Sequence, residues 1–218
     1  QDLWGGDRGL RTFVTAQGGD IHHDALAGAG KAAGRDAVFE KANQANRHPP
    51  ELRAFDRYGM RLNAVEFHPA YHDLMALSVA HGLPNFAWEH EGQAGHLGQA
   101  ALTYMFSQPE GGVMCPMAMT YSAVPSLRMT PALAETWMPR ILSRDYDRRD
   151  IPAEEKTGAL IGMFMTEKQG GSDVRANETQ ARPVKGGYLL TGHKFFCSAP
   201  MCDAFLVLAR TQAGLSCF

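Results

Sequence analysis

With 218 residues, 44% of them hydrophobic and 20% charged, the chain is too apolar for intrinsic disorder and lacks the repetition of a fibre. A formal net charge of -2 supplies no overall basic field for nucleic acid, and four cysteines are too few for a disulfide scaffold. The composition predicts a soluble globular protein of a reducing compartment, the cytoplasm, with one large or two small domains.

The chain opens on Gln1, with no charged segment followed by an apolar run, so no signal peptide is visible. Asp20 to Asn46 is Ala-rich and reads as helix, although Gly28, Gly30 and Gly34 each cost roughly 1 kcal/mol there unless close packing requires them. Tyr71 to Ala80 places Tyr71, Leu74, Met75 and Val79 at helical spacing, and His96 to Phe106 repeats the pattern through Leu97, Ala101, Tyr104 and Met105. A further helix starts near Pro116, where a missing N–H costs little. It carries Met117, Tyr121, Val124 and Leu127 on one side, with a kink expected at Pro125. No run of 18 or more apolar residues is present, so no membrane-spanning helix is expected.

The texture changes near residue 150. Glu178 to Val184 alternates, Gly186-Gly187 supplies a turn, and Tyr188 to Thr191 begins a return strand. Phe195 to Cys197 and Phe205 to Ala209 are further strand candidates, and Gly214 to Phe218 begins another. A strand that starts where the chain stops makes the chain read as a fragment. Helices first and strands second predict an α+β protein: an all-helical domain over 1–155, then part of an antiparallel β-barrel-like domain over 156–218. The boundary falls in the charged, Pro-containing stretch Ser143 to Lys156.

The densest signal is Met163-Phe-Met-Thr-Glu-Lys-Gln-Gly-Gly-Ser-Asp-Val174. Glycines remove the Cβ atoms that would keep backbone N–H groups from a phosphate or a polar ring edge, and the Thr and Ser hydroxyls can donate to its oxygens. The same residues also suit an ordinary turn between strands. The string is neither a Walker loop nor a G-x-G-x-x-G fingerprint. Some two dozen residues on stands Gly192-His-Lys-Phe-Phe-Cys-Ser198, followed by Asp203-Ala-Phe-Leu-Val-Leu-Ala-Arg210.

Together these two segments resemble the acyl-CoA dehydrogenase flavoproteins, in which a Thr-Glu-x-x-x-Gly-Ser-Asp loop and a Gly-x-Lys-x-aromatic-x-Ser/Thr strand embrace FAD. The spelling is closer still to the AidB-like alkylation-response branch. Pro49-Pro-Glu-Leu52, Phe67-His-Pro-Ala70, Cys115-Pro-Met-Ala-Met-Thr120 and Gly214-Leu-Ser-Cys-Phe218 support it.

The resemblance implies a flavin site built from Met163, Phe164, Met165, Thr166, Gly170, Gly171, Ser172, Phe196, Cys197 and Ser198. Thr166 would face the pyrimidine edge of the flavin, Ser172 the pyrophosphate, and Ser198 the region of N5. Such donors stabilise the charge that appears as the ring accepts hydride. The family pattern has Asn after that Ser; here Ala199 stands there, as an apolar residue does in the AidB-like branch. Phe196 stands where many dehydrogenases have Trp, which leaves ring stacking in place.

The family's general base is a Glu whose position lies beyond residue 218, so no catalytic residue is assigned to this chain. The resemblance also implies an acyl-CoA-like ligand and a homotetramer. Double-stranded DNA would bind through a basic C-terminal domain, again beyond residue 218. The alternative reading is a metabolic enzyme oxidising an acyl-CoA thioester. Weak or absent FAD retention is expected of the 218 residues alone, because in the family neighbouring parts enclose the flavin.

Other constellations carry blander readings. His68 and His72, four apart beside Asp73, and His22-His23-Asp24 lack an H-E-x-x-H pattern, so hydrogen-bonded or solvated histidines are expected. Cys197 and Cys202 have no second ligand pair for zinc. Arg144 to Asp150 mixes both signs and reads as a solvated loop. The eleven methionines, Met114, Met117 and Met119 among them, read first as core filler.

Overall fold

A computed structural model describes residues 1–218. Its first half is helical: α1 (Arg8–Ala16), a 3-10 turn at Asp20–His22, α2 (His23–Ala33) and α3 (Asp36–Arg47). Asp7 caps α1 by accepting from the Leu10 N–H at 2.8 Å, one of the donors a helix start leaves free. The helix expected to run from Asp20 to Asn46 is thus three pieces, broken where Arg35 turns extended. Close packing is what Gly30 and Gly34 serve, whereas a Cβ on Gly28 would meet nothing within 4 Å. A Cβ on Gly30 would stand 2.5 Å from the backbone nitrogen of Trp4, and one on Gly34 would stand 2.5 Å from the carbonyl oxygen of Gln1. The N-terminal segment lies directly on α2.

Next comes a hairpin, β1 (Glu51–Phe55) and β2 (Arg61–Glu66), paired antiparallel. It corrects the expectation of an all-helical first domain. Its residues are almost all exposed, so no inward/outward alternation marked it in the sequence. The chain returns to helix with α4 (Pro69–Ala80), the short α5 (Phe86–Glu89), α6 (Gly95–Phe106), α7 (Met114–Arg128) and α8 (Pro131–Ile141). Pro69 and Pro131 stand in first turns, where no N–H is missed, while Pro125 and Pro139 lie inside their helices. One core of 22 buried residues joins α1–α7 around Leu26, Met75, Phe86, Leu102, Met105 and Met117, and reaches Leu160 and Cys202 of the second half. Met114, Met117 and Met119 fill the interior, as expected.

The second half holds β3 (Ile161–Phe164), β4 (Gln180–Val184), β5 (Gly187–Thr191), β6 (Ala204–Thr211) and β7 (Gly214–Cys217). The sheet order is β3-β6-β4-β5, with β7 also on β6. The β4–β5 and β6–β7 pairs are antiparallel, whereas β3 and β4 both run parallel to β6. The sheet is therefore mixed, not antiparallel throughout. β3 and β6 are separated by some forty residues, long enough for the crossover that parallel pairing requires. Phe195 to Cys197 is not a strand. Phe196 takes φ +63° and Ala199 φ +53°, left-handed conformations that end any ladder.

The halves meet through α7, α8 and β3, where Ala123, Val124, Leu127, Ile141, Ala159 and Ile161 form a second, smaller core. The buried Thr120 hydroxyl accepts from the Ile161 N–H at 3.0 Å and lies 2.9 Å from the Pro116 carbonyl and 3.4 Å from that of Ile161. Below this contact, Lys156 Nζ lies 2.6 Å from the Asp203 carboxylate, whose other oxygen accepts from the Leu160 N–H at 2.8 Å. Both side chains of that pair are buried.

Candidate functional site

The ten residues expected to hold a flavin occupy two segments that the fold brings side by side. Met163 and Phe164 end β3 in register with Leu206 and Val207 of β6. Phe164 stacks on Phe205 with ring centroids 4.0 Å apart, and a Cβ on Gly162 would strike that Phe205 ring at 2.5 Å. After β3 the chain leaves the sheet. The Thr166 carbonyl accepts from the Phe195 N–H at 3.1 Å, and the Thr166 hydroxyl donates to the Phe195 carbonyl at 2.5 Å. This exchange places the loop from Met165 against the segment that carries Phe196, Cys197 and Ser198.

Gly170 takes φ +128°, a conformation closed to most side chains, and its N–H closes the turn on the Glu167 carbonyl at 3.0 Å. A Cβ on Gly171 would meet Thr166 Cγ2 at 2.7 Å, so the loop folds tightly over Thr166. Gly171 and Ser172 are exposed, and their N–H groups find no acceptor within the protein. Phe196 is 81% exposed on its left-handed backbone, with Phe195 beside it 52% exposed. Burial pushes the Cys197 thiol upward, offset in part by nearby Lys194, so the group stays a neutral thiol.

Ser198 turns the other way. It lines a cavity of about 480 Å³ together with Cys115 and Pro116 of α7, Tyr71 of α4, and the stacked rings of His48 and His68, 4.5 Å apart. The two halves of the molecule thus share this cavity. A second one, of about 620 Å³, lies between β2, the 145–153 segment and residues 200–203. The segment Arg144 to Asp150 is accordingly more than a solvated loop. Asp147 is held by Arg149 at 2.6 Å with its side chain 8% exposed, and the Tyr146 hydroxyl meets His72 Nδ1 at 2.8 Å. Burial and then Arg148 lower the His72 pKa, so that ring is neutral at pH 7. His68 accepts from the Ala70 N–H at 3.2 Å, and buried His22 meets the Gln93 carbonyl at 2.6 Å.

Sequence reasoning gave no role to the polar residues that hold the loop in shape. Glu167, a letter of the motif, is buried. Its carboxylate accepts from the Glu178 N–H at 2.7 Å, the Thr179 N–H at 3.0 Å, the Thr179 hydroxyl at 2.6 Å and Lys194 Nζ at 3.0 Å. Burial pushes its pKa up, but these four donors outweigh that and hold it well below the usual carboxylate range. Fully buried Asn177 donates to the Met165 carbonyl at 2.7 Å, and Arg210 Nε donates to the Asn177 carbonyl at 2.6 Å. Nothing in the local pattern marks Asn177 or Thr179, because their burial comes from β4 and β6 meeting at Gln180 and Arg210.

Known proteins share this sequence pattern and fold. Residues 1–148 match the model of the adaptive response protein AidB N-terminal domain, and residues 162–218 match that of the acyl-CoA dehydrogenase middle domain. The chain is 44% identical over its whole length to AidB of Escherichia coli (strain K12), spanning 41% of that protein. Among solved structures, Bd2924 in its apo form superposes with a TM-score of 0.85 at 27% identity, over the whole of this chain and 45% of that one. Caenorhabditis elegans ACDH-11 in complex with C11-CoA gives 0.81 at 28% identity, over the whole of this chain and 37% of that one. The chain belongs to the acyl-CoA dehydrogenase family, with an AidB-type N-terminal domain preceding the family's middle domain.

Proposed function

We propose that these residues form the flavin-holding half of an FAD-dependent acyl-CoA dehydrogenase homologue of the AidB type. The observation that carries the reading is the Thr166–Phe195 exchange. It juxtaposes a loop with free N–H groups at Gly171 and Ser172 and an exposed aromatic ring at Phe196. Free donors suit a pyrophosphate and a flat exposed ring suits a stacked heterocycle, so the donor set fits FAD. When bound, the flavin supplies a two-electron acceptor for hydride from the substrate.

The chain's own residues have narrower tasks. Met163 and Phe164 floor the site from β3. Thr166 offers its hydroxyl to a polar ring edge in place of the Phe195 carbonyl, and Gly171 and Ser172 bind phosphate oxygens. Ser198 joins the flavin site to the α7 cavity, where the acyl portion of a thioester would be oriented and kept from water. ACDH-11, 28% identical, was solved with C11-CoA, which supports an acyl-CoA ligand here.

Association with the alkylation response, cytoplasmic location, a homotetrameric assembly and double-stranded DNA binding through a basic domain after residue 218 complete the proposal. The second reading, a metabolic acyl-CoA dehydrogenase, is favoured by the same cavity. Anaerobic titration of the flavin-loaded, full-length protein with acyl-CoA esters separates the two. Bleaching at stoichiometric thioester supports turnover. No bleaching at any chain length, together with duplex binding that weakens with salt, sinks the metabolic reading. A full-length protein that takes up no FAD sinks both.

A further inference from the structure

Glu167 and Lys194 lie outside the set assigned to the flavin, yet their side chains are only 6% and 9% exposed. Lys194 Nζ lies 3.0 Å from Glu167 Oε1 and 3.3 Å from the Met165 carbonyl. From the other side, the carboxylate is filled by the N–H groups of Glu178 and Thr179 and by the Thr179 hydroxyl. Three stretches of chain therefore converge on one ion pair: the start of the glycine loop, the entry to β4, and the segment leading into Phe196.

A buried ion pair is a poor source of stability, because desolvating two charges costs about as much as their attraction returns. Joining the segments does not need it either, since Thr166 and Phe195 already exchange hydrogen bonds. What charge adds in a low-dielectric setting is a single preferred arrangement, with steep penalties for displacement.

We propose that the Glu167–Lys194 pair positions the cofactor site, fixing the separation between the loop Thr166–Ser172 and the segment Phe196–Ser198. This rests on the flavin reading above. Both are positioning residues that act through the backbone of Met165, Thr166 and Phe195. Because the pair is neutral as a whole, it orders the site without adding net charge.

The test compares the full-length protein with K194M and K194R. FAD affinity is read from quenching of flavin fluorescence, and Tm is read on the flavin-free form. K194M leaves Glu167 bonded to residues 178 and 179 but without its counter-charge, so the flavin-free Tm should fall, and E167Q/K194M, which removes both charges, should recover most of that Tm. FAD affinity should fall about 10- to 100-fold, the size of outer-shell effects at metal sites. K194R, which keeps the charge, should restore most of it. If the wild type binds FAD and K194M binds equally well, the positioning role is overturned and the flavin reading stands. If the wild type itself binds none, the flavin reading falls and takes this inference with it. Should K194M fail to fold, K194Q, which keeps a donor towards Glu167 without the charge, is judged the same way. FAD affinity that recovers together with the flavin-free Tm in E167Q/K194M would mark the pair as a stabilising tie only and overturn the proposal.

Discussion

The two halves of the molecule are held by different physics. The helical half closes around large apolar side chains, with Leu26, Met75, Leu102 and Met105 fully enclosed. In the β half few large apolar residues are buried, and Lys156, Glu167, Asn177 and Thr179 are buried with them. Every residue of β5 is exposed. The hydrophobic effect is non-directional, whereas buried ions and amides must keep their hydrogen-bond partners and so specify one arrangement. The half with the weaker core is the one whose loop must hold a precise shape.

That contrast can be broken most forcefully at Phe86, which is 2% exposed and packs edge-on against His22. F86A should cost about 4 kcal/mol of unfolding free energy in urea, through lost burial and a residual cavity. A loss below about 1 kcal/mol would mean that the helical core is not the anchor of the molecule.

Next in size is D203A, which strands buried Lys156 and frees the Leu160 N–H. The expected cost is about 3 kcal/mol. The D203A/K156M double variant should recover part of it, since the uncompensated charge is gone. Equal losses in the single and double variants would refute an ionic tie.

The pH dependence of Glu167 follows. Its folded pKa lies below the unfolded value near 4.3, so its contribution is fully present above about pH 4.3 and is lost as pH falls towards the folded value. Unfolding measured between about pH 5 and 2 should show wild type losing on the order of 2 kcal/mol more than E167Q. Parallel curves would discard the idea.

The smallest effect belongs to Glu66. Its bridge to Arg53 at 2.5 Å is more than half exposed at both ends, so E66A should change stability by about 0.5 kcal/mol or less, and less again at high salt.

The helices of the first half were legible because their apolar residues repeat at helical spacing: Pro69–Ala80 and Gly95–Phe106 were found almost to the residue. The β4–β5 hairpin was legible through Gly186-Gly187. The β1–β2 hairpin was not, because Leu52, Phe55, Tyr58, Met60 and Leu62 are exposed and no residue of either strand is fully buried, so no apolar period is imposed. Of the site, the loop and the segment ending at Ser198 were visible as motifs, by resemblance. Their mutual placement depends on contacts that join residues 166–167 to residues 178–179 and 194–195, and no local pattern encodes those. Ser198 facing α7 was equally invisible, since it follows from the left-handed turn at Phe196.

Thr120 has a consequence of a different kind. A strand at the margin of a sheet invites pairing with any extended segment, its own or a stranger's. Here the hydroxyl of a helical residue takes the Ile161 N–H and lies against its carbonyl, so on that side the ladder meets a side chain where another strand would dock. The helical half therefore acts as a guard against mispairing. T120V, close in shape but without the acceptor, would leave the buried Ile161 N–H unpaired at a cost of about 1 to 3 kcal/mol and would also free that margin for mispairing during refolding.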